Sequence, residues 1–149
     1  MKPLFITVIF LLASSAAVSC PNVNGTWKSS KVLSMAYNKR HADLEPAQEE
    51  LLNQILGNME ISITNNKIIE HELPTIQVEL NGKVHDFEYQ YNEYSYKTIK
   101  CDENSVTIES NHPQMGKRKS TANFINKDTY WVSPEFMTNT REYFIRINK

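Results

Sequence analysis

Glycine and long apolar runs are scarce in this chain. The few glycines argue against an active site built from a glycine-rich loop, and the scarcity of apolar runs argues against membrane-spanning helices. Only four glycines occur in 149 residues, and none belongs to a Gly-x-Ser-x-Gly elbow or a phosphate-binding glycine loop. No spaced carboxylate pair stands out, and His41, His71, His85 and His112 form no His-x-His or His-Glu-x-x-His pattern that would predict a metal site. We therefore interpret the protein as non-enzymatic, with no metal and no cofactor.

The only long apolar run lies at the N-terminus and has the three parts of a secretory signal peptide. Lys2 supplies positive charge, residues 4–12 are almost continuously apolar, and residues 14–19 are small or polar. The run is shorter than the roughly 20 residues that a membrane-spanning helix needs. We predict that residues 1–19 are cleaved, that the protein is exported to the periplasm or cell envelope, and that residues 20–149 form one domain.

A strong excess of either charge is also missing. Without Lys2 the chain has 15 basic and 17 acidic residues, which is not the basic balance of a nucleic-acid-binding protein. Its one basic run, residues 117–119, follows Pro113 and Gly116, so we interpret it as a solvated loop.

Only two cysteines occur, and they leave two interpretations open. Cys20 and Cys101 are enough for one disulfide in an oxidising compartment. The segment that ends at Cys20, residues 17–20, also resembles a bacterial lipobox, which would make Cys20 a lipid anchor and the only link to a membrane. In that case Cys101 would remain a free thiol.

Hydrophobic periodicity predicts one helix followed by many short strands. Apolar residues recur at helical spacing over residues 43–57, with Pro46 in the first turn and Gly57 at the C-terminal position. From Met59 onward the period is two, which predicts strands with one buried face. Asn81-Gly82 is a strong signal for a two-residue hairpin turn.

About nine or ten short strands follow one another with short turns, which predicts antiparallel pairing of neighbours. Closure into a barrel would remove the two exposed sheet edges. The predicted fold is therefore mostly β, a single up-and-down β-barrel with one α-helix between the first and second strands, covering one opening.

Both ends of the chain resemble the calycins, the superfamily of lipocalins and fatty-acid-binding proteins. Gly25-Thr26-Trp27 is similar to their Gly-x-Trp opening, and Arg141-Glu142-Tyr143 is similar to the Arg-x-Tyr pair of the fatty-acid-binding proteins. The chain also looks like small bacterial lipocalin-like lipoproteins. The resemblance implies a barrel whose Arg141 and Tyr143 face inward and hold a ligand carboxylate.

The same resemblance also implies another role for arginine at the barrel end. Arg141 or Arg146 would pack across Trp27 and close the barrel by cation–π attraction. The alternation of Tyr143, Ile145 and Ile147 favours an inward Arg141.

Two further patterns concern the strands. Glu70-His71-Glu72 is interpreted as a solvated sheet edge.

Five aromatic residues occur within ten positions, which favours a place in the barrel wall and leaves a protein-contact surface as the alternative. They are Phe87, Tyr89, Tyr91, Tyr94 and Tyr96.

Two functions fit these observations. The first is an exported protein that holds a small apolar or amphipathic ligand, with or without a carboxylate, in its barrel. The alternative is an inhibitor or immunity protein that binds a secreted enzyme or toxin. A roomy apolar interior would favour the first function, and a filled interior with an exposed aromatic patch would favour the second.

Overall fold

The computed structural model describes residues 19–134 and 137–148, so the predicted signal peptide, apart from Ser19, lies outside the described residues. The elements in chain order are β1 Gly25–Ser29, α1 Lys31–His41, α2 Pro46–Ile55, β2 Glu60–Ile63, β3 Lys67–Glu70, β4 Leu73–Leu80, β5 Lys83–Tyr89, β6 Asn92–Cys101, β7 Ser105–His112, β8 Gly116–Asn126, β9 Thr129–Val132 and β10 Glu142–Asn148. No helix in this part of the chain is long and apolar enough to span a membrane.

Eight of the strands form a closed antiparallel barrel. Their order is β1-β10-β9-β8-β7-β6-β3-β2, and β1 closes the ring by pairing with both β10 and β2. Neighbours in sequence are neighbours in the sheet, except that β3 pairs with β6. The prediction of a mostly β, up-and-down barrel is confirmed.

The two remaining strands, β4 and β5, form a hairpin that pairs with no barrel strand. Asn81 and Gly82 have φ values of 53° and 72°, the positive values that the predicted turn requires. The hairpin packs on α2, where the Gln54 side chain bonds both the backbone N–H and the backbone carbonyl of Glu79. The hairpin therefore lies beside one end of the barrel.

The connection from β1 to β2 contains two helices, whereas one was predicted. The predicted helix over residues 43–57 is α2, with a capping box between Glu45 and Gln48 and with φ of 89° at Gly57. The additional helix α1, Lys31–His41, lies between the first strand and the predicted helix.

Helix α1 was missed because the face that it packs on the barrel is largely polar. Ser34 and Asn38 are almost fully buried. The Ser34 hydroxyl accepts from the backbone N–H of Tyr143, and the Asn38 amide bonds both the N–H and the carbonyl of Arg141. A hydrophobic pattern cannot reveal an interface built from hydrogen bonds.

One end of the barrel, which we call the closed end, is filled by aromatic side chains. Trp27 is fully buried against Tyr130 and Phe144, and its indole N–H donates to the carbonyl of Val23 at 2.8 Å. The guanidinium of Arg146 lies 4.1 Å from the centre of a Trp27 ring. The structure thus brings Trp27 and Arg146 together in the closing arrangement that the resemblance implies.

Arg146 is held in place by backbone and carboxylate oxygens. Its Nη2 donates to the carbonyls of Asn22 and Lys127 at 2.9 and 3.1 Å, and its Nε lies 3.2 Å from Asp128 Oδ1. Gly25, with φ of 136°, leaves room for the guanidinium, because a Cβ atom there would overlap it. The glycine of Gly-x-Trp is therefore required both for the positive φ of the backbone and for the space that the Arg146 guanidinium occupies.

The structure has the disulfide rather than the lipidated Cys20. Cys20 and Cys101 are bonded, with their Cα atoms 5.5 Å apart, and the bridge joins the segment before β1 to the end of β6. A thioether-linked lipid on Cys20 would need the same sulfur atom. The lipid-anchor alternative is therefore incompatible with this structure.

Candidate functional site

Above the aromatic layer of the closed end, the barrel encloses a cavity of about 600 Å³. This volume falls in the range of small-molecule pockets. Strand alternation directs a mainly apolar set of side chains into it. They include Ile61, Ile63, Ile68, Val106, Ile108, Ala122, Val132 and Phe144.

The end opposite the closed end is covered by residues of the hairpin. Phe87 and Tyr89, at the end of β5, line the cavity and contact each other edge to face at 5.1 Å. The Tyr89 hydroxyl donates to the carbonyl of Ile55 at 2.7 Å, which ties the end of β5 to the end of α2. Burial raises the pKa of Tyr89, so the phenol stays protonated and continues to donate.

A first polar group inside the barrel centres on Glu70. Its Oε1 accepts from the Tyr94 hydroxyl at 2.8 Å, and its Oε2 accepts from Asn92 Nδ2 at 2.9 Å and faces His112 Nε2 at 3.2 Å. Burial and the nearby Glu70 charge raise the pKa of Tyr94, which keeps its phenol a donor. Both oxygens of Glu70 therefore have protein partners, which corrects the expectation of a solvated edge.

The hydrogen bonds of His112 define its tautomer. Its Nδ1 accepts from the backbone N–H groups of Gln114 and Met115 at 3.1 and 3.2 Å, so the proton of the neutral imidazole is on Nε2 and points to Glu70. His112 is 3% exposed. Since both ring nitrogens are occupied, this side chain holds the β7–β8 turn and the Glu70 carboxylate in position.

A second polar group centres on Glu142, at the start of β10. Its Oε1 accepts from the Ser29 hydroxyl at 2.6 Å, and Ser29 in turn accepts from the backbone N–H of Gly57 at 3.0 Å. Burial raises the pKa of Glu142 despite this hydrogen bond. Its Oε2 accepts no hydrogen bond from residues 19–134 or 137–148, and the side chain lines the cavity.

Tyr130 lies close to Glu142 and borders the same cavity. The residue is 3% exposed, and its ring stacks on Phe144 with centroids 5.3 Å apart. Burial and the Glu142 charge raise the pKa of Tyr130, so its hydroxyl keeps its proton. Within the described residues this hydroxyl makes no hydrogen bond.

Arg118 also lines the cavity, which corrects the interpretation of residues 117–119 as a loop. These residues belong to β8, where alternation places Arg118 inside, while Lys117 lies 3.2 Å from the outer Glu109 carboxylate. The Arg118 guanidinium donates to the sulfur of Met115 at 3.2 Å. A basic run can thus form part of a strand when one of its members points into the barrel.

Arg141 and Tyr143 do not line the cavity, so their predicted inward orientation is wrong. The Arg141 guanidinium lies 4.1 Å from the centre of the Tyr37 ring and 3.7 Å from a ring of Trp131, and its Nη1 is 3.4 Å from the Tyr143 hydroxyl. Their neighbours Glu142 and Phe144 face the interior instead. Arg141 and Tyr143 therefore contact aromatic side chains outside the cavity.

The orientation of β10 was misjudged because its outward face is apolar. Ile145 and Ile147 remain 39% and 44% exposed, although their alternation is typical of a buried face. Glu142 lies on the same face of its strand as Phe144, and Glu70 lies on the same face of β3 as Ile68. A carboxylate that alternates with buried apolar residues on one strand face is the sequence signal that would have located both polar groups.

Among residues 19–134 and 137–148, no group of three or more candidate metal ligands lies together. The closed, antiparallel, eight-stranded barrel is consistent with a calycin-like fold. No protein-family model, curated protein or solved structure matches the chain significantly.

Proposed function

We propose that the protein is an exported, non-enzymatic binding protein that holds a small apolar or amphipathic molecule in its barrel. The observation that carries this proposal is the cavity of about 600 Å³, which is apolar over most of its wall and contains a few polar groups. This combination is typical of small-molecule sites, where apolar burial provides affinity and a few polar contacts fix orientation.

The aromatic segment supports this function over the protein-binding alternative. Four of its five rings, Phe87, Tyr89, Tyr94 and Tyr96, line the cavity, while Tyr91 is 54% exposed. A contact surface for an enzyme or toxin would need these rings outside. Their orientation instead makes them part of the wall around a ligand.

Export is supported by two independent observations. Residues 1–19 have the composition of a signal peptide. The Cys20–Cys101 bridge is of the kind that persists in oxidising compartments such as the periplasm. Under this proposal the mature protein acts outside the cytoplasm.

The proposed function can be tested with a neutral fluorescent reporter, N-phenyl-1-naphthylamine, which brightens in apolar surroundings. The test variant is Ile108→Trp, which fills the cavity from β7. The matched control is Asn111→Trp, which adds the same ring to an exposed position on the same strand. We expect saturable binding by the wild type and the control, and at least about tenfold weaker binding by Ile108→Trp. Equal affinity in all three, or no saturable binding, would contradict the proposal.

A further inference from the structure

The cavity wall includes the carboxylate of Glu142, and the described part of the chain gives a hydrogen bond to only one of its two oxygens. Ser29 donates to Oε1 of Glu142 at 2.6 Å, and no donor from the described residues reaches Oε2. Charged carboxylates in apolar surroundings are costly unless a cation or several donors compensate them. Oε2 of Glu142 is thus available to a donor that enters the cavity.

Tyr130 provides a second polar atom on the wall of the same cavity. It is 97% buried, as its exposed fraction of 3% implies, and its hydroxyl has no partner within the described residues. Tyr130 and Val132 of β9 pair with Phe144 and Glu142 of β10, so Tyr130 and Glu142 share the inward face of two neighbouring strands and both line the cavity. Polar groups in protein interiors usually have a hydrogen-bond partner, so a tyrosine hydroxyl that faces a cavity without one is available to the molecule that fills the cavity.

The charges around the cavity select among ligand head groups. Its described lining includes three carboxylates, of Glu70, Glu88 and Glu142, and one guanidinium, of Arg118. The Glu70 carboxylate is already bonded to Asn92 and to two further side chains. A second anion beside Glu142 would be repelled, whereas a cation with N–H donors would satisfy its free oxygen.

The geometry points to an amphipathic amine as the ligand, with its ammonium group on Oε2 of Glu142, a further contact to the Tyr130 hydroxyl, and its apolar chain among Ile61, Ile108 and Phe144. This inference rests on the proposed function, because it names the chemical class of the molecule in the same cavity. The raised pKa of Glu142 in the unliganded protein agrees with a carboxyl group that lacks a countercharge.

The test compares three ligands that share one chain and differ in the head group: decylamine, decanol and decanoic acid. Each is titrated by calorimetry at neutral pH, below its aggregation concentration, into wild type, Glu142→Gln and Glu72→Gln. Glu72→Gln is the matched control, since it removes the same charge from an exposed position that does not line the cavity. We expect decylamine to bind wild type at least about tenfold more tightly than decanol, and Glu142→Gln to remove this preference.

The outcomes separate this inference from the proposed function. If decylamine binds no better than decanol or decanoic acid, or if Glu142→Gln and Glu72→Gln weaken its binding equally, the amine assignment is wrong while the binding function stands. If none of the three ligands binds, the proposed function fails as well. A second measurement does not depend on a variant: carboxyl-carbon NMR of wild type should show a shifted glutamate resonance on addition of decylamine, and unshifted glutamate resonances would overturn the assignment.

Discussion

Replacing both Cys20 and Cys101 by serine is expected to remove a large part of the free energy of unfolding. The bridge closes a chain segment with a sequence separation of 81 residues. The loop-closure relation for the unfolded state converts this separation to about 4.5 kcal/mol at 25 °C, and measured values commonly reach about 2–4 kcal/mol. Since domains of this size are stable by roughly 5–15 kcal/mol, the loss would be a substantial fraction of the total.

Urea unfolding followed by tryptophan fluorescence measures this loss directly, because Trp27 is fully buried in the folded protein. Oxidised wild type, reduced wild type and the double serine variant are compared, with the variant serving as the control for the reductant. Reduction should destabilise the wild type by about as much as the substitutions do, and should leave the variant unchanged. A difference below about 1 kcal/mol between the free energies of unfolding of oxidised and reduced wild type would refute the loop-closure argument.

Three further substitutions test the interior and the closed end. Glu142→Gln keeps an acceptor for Ser29 and removes a carboxyl whose pKa is raised on folding. The stability of the wild type therefore falls as the pH rises from the unfolded-state pKa of this carboxyl to its folded-state pKa. The melting temperature of the variant should be higher than that of the wild type above this pH range and equal to it below the range. A variant that melts lower at all pH values would contradict this. Tyr130→Phe should leave the melting temperature unchanged or raise it, because the lost hydroxyl has no partner within the described residues, and a clear decrease would show that it has one. Gly25→Ala should lower the free energy of unfolding by about 1–3 kcal/mol through its backbone conformation alone, and by more because the new methyl group displaces Arg146. Gly82→Ala should lower it less, because open space surrounds this residue. Equal decreases for the two variants in urea unfolding would contradict the role of Arg146.

Local patterns were enough to predict the barrel. Period-two alternation from Met59 onward identified most strands, the Asn81-Gly82 turn located the β4–β5 hairpin, and the apolar face of residues 43–57 identified α2. These elements are predictable because their side chains or turn residues satisfy the requirements of each element locally. The Gly-x-Trp opening also indicated how the barrel end is closed.

The remaining features depend on contacts between distant parts of the chain. Helix α1 buries Ser34 and Asn38 through hydrogen bonds to Tyr143 and Arg141, more than 100 residues away, so it has little apolar periodicity. The polar cavity residues were also missed, because a carboxylate in a strand is assigned to solvent unless its partners are known. Glu70 and Glu142 are tolerated inside only because side chains from other elements donate to them.

Native mass spectrometry of the protein purified from its own cells is the most direct test for a bound small molecule. We expect a mass above that of the oxidised chain under non-denaturing conditions, with the excess lost on unfolding and absent from Ile108→Trp, since that variant fills the cavity from β7. A chain whose mass is the same before and after unfolding, or which carries a second protein in place of a small molecule, would contradict it.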